Sequence, residues 1–192
     1  EETRYPAEVG ACLLARLCDA DLDIAQVLLE LEALTDEARR HIEEALQTQW
    51  SPAISRERSL EVLYRLGEFW RERGFKGNLL DYYDVGNSWL PEVLKRRKGI
   101  PLSLSILFLA LCRRLGLQAE GVGMPAHFIV RVPVSTGDDE GFIFLDPFHG
   151  ARPLEMDDCR KLVESSGVRF VPEEHLKAVS AREILVRMCN NL

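Results

Sequence analysis

His127 and Asp146 are the side chains whose types and setting could do acid–base chemistry. His127 opens a stretch in which Phe128, Val130 and Val132 alternate with Ile129 and Arg131; Asp146 closes a second stretch, Phe142 to Leu145. Pair the two as a hairpin with Val134 opposite Gly141, and Asp146 falls opposite Ile129 with His127 as its diagonal neighbour. Diagonal neighbours sit ~7–8 Å apart at the backbone, within reach of a His–Asp hydrogen bond. A bulge would change that register. A carboxylate that holds an imidazole in one tautomer forms the rear of a catalytic triad. The same pair also serves as a structural clasp on a hairpin.

A triad needs a nucleophile, and cysteine suits a helix N-terminus beside an imidazole. Five cysteines are present, at 12, 18, 112, 159 and 189, without a CxxC pair. Neither a structural zinc site nor a disulfide framework is signalled. The clearest helix start, Gly99-Ile100-Pro101-Leu102-Ser103, holds no cysteine. Cys112 lies nine residues beyond Ser103, roughly 13 Å down the axis, and reads as a core thiol. Ser103 is the one hydroxyl in the first turn. His41 and His175 fall on charged helical stretches and read as surface residues.

The elements that must position these groups are mostly helical. Ile24, Val27, Leu28, Leu31 and Leu34 mark one helix face. Thr35 reads as the N-cap of a further helix to about Thr48, burying Ile42, Ala45 and Leu46. Ser51-Pro52 is a break, and Ser55 caps a segment carrying Leu60, Leu63, Leu66, Phe69 and Trp70, ended by Gly74. Residues 74–87, rich in Gly, Asn, Asp and Tyr, read as an ordered loop. Ser88 caps a short helix to Arg97. Pro101, the terminal Arg113 and Arg114, and Gly116 bound a helix that is apolar nearly all round and therefore buried. Ala119–Met124, 127–132 and 142–145 are short strands, with a polar turn over 135–141. Helices resume at Glu155–Glu164 and from Pro172, and Ser180 with Glu183 forms a capping box. The fold class is α+β: a helical N-terminal region (1–74), then a core (75–192) in which a buried central helix packs on a small antiparallel sheet, with a helical C-terminal tail.

Composition bounds the function. The chain has 192 residues, 46% hydrophobic and 29% charged, with a net charge of -7. That length buries a core without staples. The acidic balance argues against nucleic-acid binding through phosphates. No apolar run reaches the ~20 residues of a membrane span. The charged opening residues do not form a signal peptide. The unpaired thiols suit a reducing, cytoplasmic setting. No cofactor is implied.

The order helix, strand with His, strand with Asp resembles the transglutaminase-like fold, related to papain-type cysteine proteases. Arg113-Arg114-Leu115-Gly116, His127 and Asp146-Pro147 carry that resemblance. More closely, the chain is similar to the SirB family, in the transglutaminase-like branch that precedes tetratricopeptide repeats. The matching string comprises Gly77-Asn78, Asp81-Tyr82-Tyr83, Asn87-Ser88, Arg97 to Pro101, Leu104-Ser105, Arg114 to Gly116, Gly121-Val122, Pro125, His127-Phe128, Asp146 to Phe148 and Gly150. Similar domains occur in an animal F-box protein. The resemblance implies that further helical repeats follow Leu192. Counting back from Gly116, it places the family's nucleophile column on Pro101.

Three readings follow. In the first, Pro101 leaves a non-catalytic module that binds a protein or peptide, since proline has no nucleophilic side chain and no N–H for an oxyanion. His127 and Asp146 then remain as architecture, and Asn78, Tyr82, Tyr83, Asn87, Pro101 and Pro125 line a cleft. In the second, a Ser103–His127–Asp146 triad performs hydrolysis or amide transfer. Ser103 lies two residues past the column, and about 200° of helical rotation turns it away from His127. In the third, His127, Asp146 and His149 supply nitrogen and oxygen ligands to a metal, although the spacing matches no metal motif.

Overall fold

The computed structural model of the chain describes residues 6–136 and 139–191. Its helices begin with α1 (Ala7–Cys18), α2 (Ile24–Leu46), α3 (Pro52–Glu57) and α4 (Ser59–Glu72). Asp23 caps α2 by accepting from Gln26 N–H at 3.2 Å. This helix does not restart at Thr35, as the sequence reading expected. Thr35 is fully buried and its hydroxyl donates to Leu31 C=O at 2.8 Å, so the hydroxyl is satisfied inside a continuous helix. Ala45 faces solvent. Residue 55 also starts no helix; the break falls at Arg58, between α3 and α4.

A two-residue strand β1 (Lys76–Gly77) follows, then a loop, a 3-10 turn over Val85–Asn87, and α5 (Leu90–Arg96). The N-cap of α5 is Trp89 and not Ser88, with Pro91 in the first turn. β2 (Lys98–Gly99) pairs in parallel with β1. α6 (Pro101–Arg114) then starts on Pro101 and ends where Gly116 takes a left-handed φ of 72°, which lets Leu117 N–H reach Cys112 C=O at 2.9 Å. Ten of its side chains from Pro101 to Leu111, with Cys112, are buried, so α6 is the central core helix.

The sheet contains β3 (Glu120–Met124), β4 (His127–Thr136), β5 (Asp139–Asp146), β6 (Arg152–Leu154) and β7 (Ala178–Val179), in the antiparallel order β6-β5-β4-β3-β7. The two edge strands are too short to leave an alternation in the sequence. Val134 does stand opposite Gly141. The tip of the expected polar turn, residues 137–138, lies outside the described residues. The remaining helices are α7 (Met156–Glu164), α8 (Pro172–His175) and α9 (Ala181–Cys189). Ser180 and Glu183 form the expected capping box, with Glu183 N–H donating to Ser180 Oγ at 3.3 Å.

One face of the sheet (Phe128, Val130, Val132, Leu145) packs into the core formed by α6 and the N-terminal helices. The other face (Val122, Met124, Ile129, Phe144) closes against Cys159, Val163 and Leu176. Among the described residues, no helix is long and apolar enough to cross a membrane.

A buried carboxylate ties α1 to the end of α6. Glu8 is 3% exposed and accepts from Arg114 Nη1 at 2.8 Å and from Arg113. Burial by itself would raise its pKa, but the two guanidinium hydrogen bonds outweigh burial and hold it below the ordinary 4.5. The folded state therefore gains from this carboxylate above pH 4.5, and loses that gain as pH falls toward the lower folded value. Glu8→Gln is expected to cost about 1.5–3 kcal/mol at neutral pH. Thermal melts of both proteins should show the gap narrowing as the pH is lowered through the acid range.

Candidate functional site

The site is assembled where β4 begins and β5 ends. His127 Nε2 lies 3.0 Å from Asp146 Oδ2, and His149 Nδ1 lies 2.6 Å from the same oxygen. Asp146 Oδ1 accepts from the N–H groups of Phe148 (3.0 Å) and His149 (3.3 Å). Asp146 is fully buried, His127 is 8% exposed, and the His149 side chain is 42% exposed. Burial of Asp146 would raise its pKa; the hydrogen bonds from both imidazoles overcome this and keep it well below the carboxylate range. An ionised carboxylate accepts only, so His127 donates from Nε2. His149 donates from Nδ1. Its hydrogen bond to Asp146 raises its pKa, against a smaller opposing effect of burial.

Distant elements hold this turn. Trp70 of α4 donates from Nε1 to Pro147 C=O at 3.0 Å, and Arg71 Nη1 donates to Gly150 C=O at 3.0 Å. Phe148 lies over Gly77, where a Cβ would come within 2.3 Å of its ring. It also meets the His127 ring edge-on at 5.9 Å and Tyr82 at 6.2 Å. The β3–β4 turn is Pro125-Ala126, with Ala126 at a left-handed φ of 54°. Arg187 of α9 secures that turn, donating from Nη2 to Met124 C=O (2.7 Å) and His127 C=O (2.8 Å). Nothing local in the sequence marks Trp70 or Arg187 for these tasks, since each acts across 60 residues or more.

The structure brings His127 and Asp146 together, and Ser103 is not with them. Ser103 is buried, donates to Asn87 C=O at 2.6 Å and accepts from Ile100 N–H at 3.2 Å. It makes no hydrogen bond to His127. The helix rotation explains this: Ser103 faces the loop, while Pro101, Ser105 and Leu109 share another face. Ser105 Oγ donates to Phe128 C=O at 3.3 Å, and Leu109 lines a groove with Arg131 and Pro133. That stripe runs along β4, so Pro101 lies toward its His127 end.

The expected cleft residues divide. Asn87 is fully buried and is a hub instead of a lining residue. Its Nδ2 donates to Asp81 C=O (2.6 Å) and Tyr82 C=O (3.1 Å), and its Oδ1 accepts from Asn78 Nδ2 at 3.0 Å. Pro101 is buried as well. Both are too enclosed to line an open cleft. Pro125 is half-buried in the β3–β4 turn. Tyr82 and Tyr83 are exposed on the loop that Asn87 anchors, and Leu79, Leu80 and Val85 stand exposed beside them.

The other histidines and thiols lie elsewhere. His41 is half-buried against Phe69, and is not a solvated surface residue. His175 Nδ1 accepts from Val171 N–H at 2.9 Å. Cys12, Cys112 and Cys159 are buried, and burial pushes the thiols of Cys12 and Cys159 up to about 11 and that of Cys112 higher still. Cys18 and Cys189 are exposed.

Residues 25–190 match the transglutaminase-like superfamily. The chain belongs to that superfamily. It is 40% identical over 124 residues to a UPF0162 protein of Xylella fastidiosa (strain 9a5c), covering 62% of this chain and 43% of that protein. A UPF0162 protein of Vibrio cholerae is 36% identical over 151 residues, 71% of this chain and 53% of the relative. Human F-box only protein 21 (Homo sapiens) is 35% identical over 122 residues, 62% of this chain and 19% of the relative. The chain thus spans about half or less of the length of these curated relatives. No solved structure matches it significantly.

Asn87→Ala removes three part-buried side-chain hydrogen bonds at once and is expected to destabilise the chain by about 2–3 kcal/mol. Hydrogen exchange should accelerate first over residues 79–88.

Proposed function

We propose that this chain is a non-catalytic transglutaminase-like module of the SirB branch that binds a protein or peptide segment in the cytoplasm. In this reading residues 75–192 are the recognition unit and residues 1–74 its helical support. One observation supports it: Pro101, which the resemblance puts at the nucleophile position, is a buried proline, and Ser103, two residues on, has its proton committed to Asn87 C=O. His127 and Asp146 then lack a group to activate. Beside them, Leu79, Leu80, Tyr83 and Val85 are exposed by 73%, 97%, 92% and 54% on a loop braced from within. Adjacent large apolar side chains on a held loop are what a docking surface requires, because their burial on binding supplies the driving force.

The test pans a displayed peptide library against the chain. Peptides with apolar anchors are expected, and Leu80→Ser with Tyr83→Ser should weaken their binding at least ~10-fold without lowering the melting temperature. No release of ammonia from glutamine peptides and no amine incorporation is expected. Turnover that disappears in Ser103→Ala or His127→Ala would overturn the proposal.

A further inference from the structure

The His149 side chain is not needed for a His–Asp dyad, yet it directs Nδ1 at the oxygen that His127 already contacts. We propose that His127 Nε2, Asp146 Oδ2 and His149 Nδ1 form a divalent transition-metal site of the two-histidine, one-carboxylate type, with zinc as its best-suited occupant. This rests on the site geometry described above and not on whether the exposed loop binds a peptide.

Four features support it. The three ligand atoms all lie within 4.8 Å of one another. Zinc bonds of ~2.0–2.2 Å need ligand atoms ~3–3.5 Å apart, so small torsions of the His149 side chain on its short turn suffice to close the set. The carboxylate is preoriented: two backbone N–H groups hold Oδ1, which leaves Oδ2 as the outward oxygen. The charge balance is correct, because an ionised Asp146 with two neutral imidazoles presents one net negative charge to a dication. Finally, the site is graded in exposure. Asp146 is sealed, His127 nearly so, and His149 is 42% exposed, so an ion can arrive from solvent and keep water in the remaining position. The cation that acts on His149 is Arg152, whose guanidinium is drawn toward Asp158 at 4.0 Å.

On binding, each neutral imidazole carries its N–H on the opposite ring nitrogen, His127 on Nδ1 and His149 on Nε2, so that His127 Nε2 and His149 Nδ1 present lone pairs to the ion and both rings stay neutral. The ion needs no oxidant, and apart from this shift of the ring protons no bond within the protein breaks.

The chain is stripped with a chelator and titrated with zinc chloride by calorimetry at neutral pH. One ion per chain is expected. His149→Ala, a change at a half-exposed residue, should weaken binding at least ~10-fold while circular dichroism stays unchanged. Cobalt(II) in place of zinc should give visible d–d absorption without a thiolate charge-transfer band, and both results should persist in Cys18→Ser with Cys189→Ser. Absence of one-to-one binding, binding unchanged in His149→Ala, or binding lost in the cysteine variants would overturn the site. Peptide binding by the exposed loop is read in the library experiment and stands or falls separately.

Discussion

Asp146 carries a negative charge at a position with no exposed surface, and the turn around it exists to satisfy that charge. Moving a carboxylate out of water costs several kcal/mol unless its oxygens find partners. Here each oxygen has two: backbone N–H groups of Phe148 and His149 on one side, imidazoles of His127 and His149 on the other. The turn can supply those N–H groups because Pro147 and Gly150 are held by Trp70 and Arg71 of α4. The N-terminal helices thus contribute to the site through the shape of one turn, without placing a side chain on the histidines.

A second constraint is the rotation of α6. Its two polar side chains near the start, Ser103 and Ser105, lie on different faces and serve different partners. Ser103 fixes the Asn87 loop, whereas Ser105 fixes β4. The helix start therefore joins the aromatic loop to the strand that carries His127. A close approach at Gly77, where the Phe148 ring leaves no room for a Cβ, completes the link between loop and turn. The residues that brace the loop have their polar groups committed to it, Ser103 to Asn87 C=O and Asn87 to the loop carbonyls.

Much of this architecture was legible in the residues. Pro101 and Gly116 bounded α6, the period-two runs announced β4 and β5, and the assumed pairing of Val134 with Gly141 is the pairing found. The misreadings have local causes. Thr35 has the side chain of an N-cap, and only burial beside Leu31 C=O turns its hydroxyl inward. Asn87 and Pro101 have types suited to a cleft, but their exposure is a property of what packs over them. Strands β6 and β7 and the parallel β1–β2 pair span two or three residues each, too short for any periodicity to show.

Taken alone, the sequence determined the α+β class, the buried helix and the order in which Ser103, His127, Asp146 and His149 occur, because periodicity and capping are local and depend on a few neighbouring residues. Tertiary structure decided which of them meet. The hairpin register brings His127 to Asp146, and the turn held by Trp70 swings His149 onto the same oxygen. Helix rotation commits Ser103 to Asn87. Those outcomes depend on contacts between residues 16 to 77 positions apart, and no local spacing encodes them.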